Sequence, residues 1–255
     1  MLIYSWNVNG IRSATSKGFL NWLQKSNADI VGLQEVRALP EQIAPEVRNP
    51  KGYFTHFFPA QKPGYSGVGL YSRIEPDHID TSFGNPDFDN EGRVQIAQFG
   101  KLYIAHIYFP NGQGKNNDNS RIPYKIVFYE KLFEKLGKLN KAGEQVLVMG
   151  DFNTAHTELD IARPKENQDT SGFTPKERQE FDRIISLGWT DTFREFEKKG
   201  GFYSWWSVRA GARARNVGWR IDYVLASKAA KSLVKNAFIH MDTLGSDHCP
   251  VGVEL

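Results

Sequence analysis

The chain has 255 residues, of which 40% are hydrophobic, 13% aromatic and 24% charged, enough apolar material for a packed core in an ordinary soluble protein. Its net charge of +3 is only mildly basic, so composition leans toward a polyanionic partner without identifying one. A single cysteine, Cys249, excludes an internal disulfide. No apolar run approaches the roughly 20 residues that cross a bilayer, and the opening MLIYSWNVNG lacks the basic start of a signal peptide. These features predict a soluble cytoplasmic protein.

Short apolar, β-branched runs are predicted strands. In chain order they are Leu2–Trp6, Asp29–Gln34, Gly67–Ser72, Val94–Phe99, Leu102–Tyr108, Val146–Met149, Ile221–Ala226, Ala237–His240 and Pro250–Val253. Several are apolar throughout, as strands covered on both faces must be. Helical spacing appears between them. Phe19, Trp22 and Leu23 share a face, and Ile126, Tyr129, Leu132, Phe133, Leu136 and Leu139 form a longer stripe. A third helix is announced by its ends: Thr174 as N-cap, Pro175 in the first turn, Glu177 completing a capping box and Gly188 closing it. Strands and helices mix throughout without a linker or repeat. The expectation is one α/β domain over residues 1–255, with long functional loops at Pro110–Asn119 and Ser207–Trp219.

Carboxylates and carboxamides gather at the ends of the predicted strands. Asn7 and Asn9 follow the first, Glu35 ends the second, and Asp151 and Asn153 close Val146–Met149 in GDFN. Asp222 lies within an apolar stretch, and Asp247 and His248, in GSDHCP, precede the last strand. Any one of these reads more simply as a turn residue. Their recurrence at strand ends, where α/β sheets gather ligands, points to convergence on a hard cation with oxygen ligands, Mg2+ or Mn2+. Asp222, flanked by Trp219, Ile221, Tyr223 and Val224, must be desolvated and therefore needs a His or Arg partner.

Taken in order, SWNVNGIR (5–12), LQEVR (33–37), GYSGVGLYSR (64–73), EGR (91–93), IYFPNG (107–112), GDFNTAH (150–156), DIARPKEN (160–167), SGFTPKERQ (171–179), WWSVR (205–209), ARNVGWRIDY (214–223) and LGSDHCP (244–250) resemble the exonuclease III and apurinic-apyrimidinic (AP) endonuclease family of the endonuclease–exonuclease–phosphatase superfamily. NVGWRIDY and GSDHCP carry most of the specificity, since GDFN is shared across the superfamily. The resemblance implies a four-layer α/β sandwich, in which two mixed β-sheets pack face to face with helices outside. It also implies a magnesium-dependent DNA-repair phosphodiesterase, monomeric, that incises duplex DNA 5′ to abasic sites and trims damaged 3′ ends.

Residue by residue, the resemblance makes Glu35 the principal metal ligand, with Asn7, Asp247, Asp151, Asn153 and His248 around it. Asp151 would activate the water, Asn153 would hold it, and His248, oriented by Asp222, would contact the phosphate with Tyr108 and Asn111. Trp205, Trp219 and Ile221 would wall a pocket for an extruded sugar, and Arg209 matches a residue that wedges into the duplex. Arg12, Lys62, Tyr65 and Lys125 fall in segments the family uses on the DNA backbone. Beyond the resemblance, the stretch Trp205–Ile221 carries Arg209, Arg213, Arg215 and Arg220 with no acidic residue, the mix of cations and aromatics a nucleic-acid groove uses.

Two departures stand out. Asn9 replaces an Asp common in the family, which favours a single metal, and Trp205 replaces a smaller Phe. Cys249 reads as a core residue before Pro250. Rival readings are a superfamily phosphoesterase acting on another phosphate ester and a non-catalytic DNA-binding module; the second is disfavoured because Glu35, Asp151, Asn153, Asp222 and His248 are all present.

Overall fold

The computed structural model describes residues 1–255. Twelve strands are present: β1 (Leu2–Asn7), β2 (Ile30–Gln34), β3 (Phe54–Phe58), β4 (Val68–Ser72), β5 (His78–Asp80), β6 (Val94–Phe99), β7 (Leu102–Tyr108), β8 (Gln145–Asp151), β9 (Thr190–Asp191), β10 (Asp222–Ala226), β11 (Asn236–Ile239) and β12 (Val251–Glu254). They form two six-stranded sheets, in the orders β11-β12-β1-β2-β4-β3 and β5-β6-β7-β8-β10-β9. Each sheet is mixed. The β1–β2 and β7–β8 pairs are parallel and their neighbours antiparallel.

The sheets face each other across an apolar layer to which both contribute: Ile3, Ile30, Leu70 and Val251 from one, Ile104, Leu147, Met149 and Val224 from the other. The outer face of the first sheet, through Tyr4, Trp6, Val31, Leu33 and Tyr71, packs on Ile11, Phe19, Leu23 and Val47 of three short helices. The outer face of the second, through Ile107, Val146, Val148, Tyr223 and Leu225, packs on Phe128, Leu132, Phe133 and Leu136 of the helix Ile122–Lys141 and on Phe181 and Ile184 of the helix Pro175–Ser186. The order helix, sheet, sheet, helix is the expected four-layer sandwich. No helix is long and apolar enough to cross a membrane.

All nine predicted strands form. β3, β5 and β9 were not predicted. Each is an edge strand with exposed or half-buried positions, so none shows the continuous apolar run that marks a covered strand. The cap residues behave as their chemistry requires: Thr174 Oγ1 accepts from the main chain of Glu177, whose carboxylate reaches back to Thr174 N, and Gly188 takes φ 91°.

Candidate active site

Register brings the chemistry together. Across β7, β8 and β10, Tyr108 pairs with Asp151 and Asp151 with Asp222, so three polar side chains stand in a row at one end of the second sheet. In the first sheet, Asn7 at the end of β1 pairs with Gln34, and Glu35 follows directly. Several residues here hold left-handed backbone: Asn9 (φ 45°), Glu35 (52°), Arg37 (51°) and Asn153 (49°). Non-glycine residues occupy that region at a cost, and such strain concentrates where side chains must be aimed.

The two sheet ends share a cavity of about 350 Å³. Glu35, Tyr108, Asn111, Asp151, Asn153, Trp205, Trp219, Ile221, Asp247 and His248 all line it. Asn7 and Asp222 lie buried beneath, at 0% and 1% exposure. Asn7 Nδ2 donates to Glu35 Oε1 and to Asp151 Oδ2, each at 2.9 Å, and Tyr108 Oη donates to Glu35 Oε1 at 2.7 Å. Asp151 also accepts from the main-chain N of Asn153 at 2.8 Å and from its Nδ2 at 3.3 Å. Asn111 Nδ2 donates to Asn153 Oδ1 at 3.2 Å.

Asp222 has the partner its burial demands: His248 Nδ1 lies 2.8 Å from Asp222 Oδ2, with Nε2 4.0 Å from Asp151 Oδ2. Burial alone would strip the imidazole of its proton. Asp222, by charge and hydrogen bond, and Asp151 and Asp247 beyond it, overcome that and raise His248 to about 10. Asp151 is pushed up to about 7, first by burial, then by Asp222, with His248 opposing and Glu35 adding to the rise. The site thus holds a charged imidazole between two carboxylates, one of which gains or loses its proton near neutrality.

The donor set fits a hard divalent cation. Glu35 and Asp151 aim oxygens at the same Asn7 amide, and carboxylate oxygens suit magnesium. Asp151, Asp222 and His248 also bring donor atoms within 4.8 Å of one another; His248 Nδ1 is taken up by Asp222, which leaves Nε2 as its remaining ring nitrogen. Asn7 turns its N–H groups to the carboxylates, while its oxygen accepts from Asn9 N at 3.0 Å, so it helps to place Glu35 and Asp151. Asp247 is likewise engaged: Asn9 Nδ2 (2.9 Å) and Ser246 Oγ (3.2 Å) donate to Oδ1, and Trp205 Nε1 donates to Oδ2 at 3.0 Å. Both family departures, Asn9 and Trp205, are spent on holding this carboxylate.

Several expected DNA contacts stand elsewhere. Lys125 is fully buried, bonded to Glu177 Oε1 and to the oxygen of Asn153; it cannot meet a phosphate backbone. Arg220 is also buried, 2.8 Å from Asp160 and 2.6 Å from Asp191, and Arg213 donates to the oxygens of Met241, Thr243 and Ser246. Of the four arginines in that stretch only Arg209 and Arg215 are exposed. Arg12 and Lys62 are exposed outside the cavity, and Tyr65 is half-buried. Tyr65 Oη accepts from Arg93 at 2.7 Å; Arg93 in turn stacks on Tyr108 at 4.6 Å, so Tyr65 braces the site from behind.

Sequence reasoning passed over Arg37, Gln113, Thr170, Ser171 and Gly172, which also line the cavity. Arg37 forms an ion pair with Glu35; its place two residues after Glu35 in LQEVR was the available signal. Ser171 and Gly172 open the motif SGFTPKERQ, while Gln113 and Thr170 carry no such signal.

A model of the endonuclease/exonuclease/phosphatase family matches residues 4–248. The chain belongs to that family, in its exonuclease III and AP endonuclease branch. It is 39% identical over 253 residues to an exodeoxyribonuclease of Bacillus subtilis, covering 98% of each chain. It is also 39% identical to a DNA-(apurinic or apyrimidinic site) endonuclease of Dictyostelium discoideum, over 99% of this chain and 70% of that protein. Among solved structures, a 3′–5′ exonuclease from Neisseria meningitidis superposes with a TM-score of 0.90 at 26% identity, covering 100% of this chain and 99% of that one.

Proposed function

We propose that the protein is a magnesium-dependent DNA-repair phosphodiesterase that incises duplex DNA on the 5′ side of abasic sites, with 3′–5′ exonuclease and 3′-end-cleaning activity. The observation that carries this is a single cavity in which Asp151, braced by Asn153, faces a charged His248–Asp222 pair beside Glu35 and under Trp205, Trp219 and Ile221. The names of the relatives, exodeoxyribonuclease and AP endonuclease, support the same reaction class.

Glu35 and Asp151 would hold the ion, and when bound it neutralises charge on the phosphate oxygens. Asp151, held by Asn153 and 4.0 Å from His248 Nε2, accepts a proton from the attacking water. Asn153 fixes that carboxylate through two N–H donors. His248, kept cationic by Asp222, presents Nε2–H to the phosphate, placing positive charge where negative charge develops. Tyr108 holds Glu35. Trp205, Trp219 and Ile221 bound a space that suits a baseless deoxyribose and excludes a nucleotide by bulk; the missing base also lowers the unstacking cost.

An end-labelled duplex bearing one tetrahydrofuran abasic analogue tests this, with Mg2+ or EDTA and beside Asp151→Asn. Intact and 3′-recessed duplexes rank endonuclease against exonuclease. Magnesium-dependent cleavage 5′ to the analogue, lost in the variant, is the expected result. Absence of cleavage with any divalent ion overturns the reading in favour of another phosphate ester.

A further inference from the structure

A buried ion pair that takes no part in the proposed reaction lies behind the cavity. Lys125, on the helix Ile122–Lys141, and Glu177, on the helix Pro175–Ser186, have fully buried side chains, with Nζ 2.6 Å from Oε1. Such a pair is a weak source of stability, because desolvating two charges offsets most of their attraction. Its partners show what else it holds.

Lys125 Nζ also donates to the main-chain oxygen of Asn153 at 2.6 Å. Asn153 is one of the left-handed residues, at φ 49°, a conformation that persists only where the surroundings impose it. In that conformation its main-chain N reaches Asp151 Oδ1 at 2.8 Å, and its side-chain amide spans Phe109 O at 3.0 Å and Asp151 Oδ2 at 3.3 Å. On the other side, Glu177 Oε2 accepts from Gly172 N at 2.8 Å and from Thr174 Oγ1 at 2.7 Å, and Gly172 forms part of the cavity wall. Gly112, beside Asn111, is pressed to the same point: a Cβ there would stand 2.7 Å from Ile122 and 3.0 Å from Glu177 Oε1.

We propose that Lys125 and Glu177 are positioning residues: their ion pair sets the Asn153 turn against Asp151 on one side and the Gly172 wall on the other. The reacting carboxylate and the cavity rim are thereby placed by one contact between two helices. Neither residue touches substrate; both act through Asn153 and Gly172. The kinetic consequence rests on the proposed phosphodiesterase reaction.

The test combines Lys125→Met with Glu177→Leu, so that neither charge is left buried alone. Incision of the tetrahydrofuran duplex, thermal unfolding and deuterium exchange at the Asn153 amide are measured in this variant, in Lys125→Arg, and with Asn153→Gly added. The paired substitution should lower kcat about 10- to 100-fold, the range for groups that orient a reacting ligand, while KM rises by less than kcat falls. Exchange at Asn153 should quicken with the melting temperature nearly unchanged. Lys125→Arg, which keeps charge and donors, should recover most of kcat. Once Asn153→Gly has removed the side-chain part of what is being placed, the paired substitution should cost less than it does in the parent, since residues acting through one another are not additive. An unchanged kcat, an equal loss with Asn153→Gly present, or unchanged Asn153 exchange overturns the proposal. If the unaltered protein fails to cut the duplex, the substrate reading is at fault, and the exchange measurement still decides the clamp because it needs no substrate.

Discussion

His248 is almost wholly buried at the cavity wall, and burial opposes a charged imidazole, yet Asp222 at 2.8 Å keeps it protonated to about pH 10. A histidine raised from 6.5 to about 10 on folding binds its proton more tightly in the native state. Its contribution to stability is therefore complete below pH 6.5 and is lost as pH rises toward 10. Asp151, raised from 3.8 to about 7, acts in the same direction but in the lower window between those values. In EDTA, Asp222→Asn should cost about 3–5 kcal/mol near pH 7, the usual loss when one member of a buried pair is removed. The difference from the unaltered protein should shrink toward pH 10. Denaturant unfolding across pH 6.5–10 reads this, and a pH-independent difference refutes it. Asn9 makes a second case. Its amide donates to Asp247, and Asn9→Asp would set two carboxylates together, a pair that like-charge repulsion keeps from ionising unless a cation intervenes. Mn2+ titration followed by electron paramagnetic resonance should then show a second bound ion and a melting temperature that recovers with metal; unchanged stoichiometry would falsify it. At this scale Asp222 was legible, because a carboxylate inside an apolar run must find a counter-charge. Lys125 and Arg220 were not. Their acids, Glu177, Asp160 and Asp191, lie 52, 60 and 29 residues away, and nothing local separates a buried cation from a DNA-binding one.

Strands and their register are what convert scattered motifs into a site. β8 runs two residues beyond its predicted end, through Gly150 to Asp151, because Gly150 lets the chain approach β7. It holds φ 150°, and a Cβ there would lie 1.7 Å from Ile107 O, a main-chain atom that cannot step aside. Gly150→Ala should therefore cost more than the roughly 1–3 kcal/mol of ordinary overpacking, and loss of incision should accompany the stability loss because Asp151 is the next residue. A variant that melts within a degree or two of the parent contradicts this. Covered strands and the capped helix Pro175–Ser186 could be read from pattern because their apolar periods and cap chemistry are local. Three of the four edge strands could not: β3, β5 and β9 owe their form to one neighbour each, whereas the edge strand β11 was still marked by its own apolar run.

For the whole molecule, the mild charge of +3 understates how unevenly the cations are used. Arg93, Lys125, Arg213 and Arg220 are committed to internal partners, leaving Arg12, Lys62, Arg209 and Arg215 among the exposed cations. Counterion release makes the logarithm of DNA affinity fall with that of salt, with a slope of about −0.9 per phosphate neutralised. Only exposed cations contribute to that slope. Arg209→Ala should flatten it by about one while weakening binding similarly on any sequence. Arg220→Ala strips Asp160 and Asp191 of a buried counter-charge and should lower the melting temperature, leaving the slope of the remaining folded protein unchanged. Binding of Asp151→Asn protein to the abasic duplex across a salt series, with and without these substitutions, separates the two roles. If Arg220→Ala flattened the slope as much as Arg209→Ala, the internal assignment of Arg220 would be wrong, and the stretch Trp205–Ile221 would be a continuous basic groove after all.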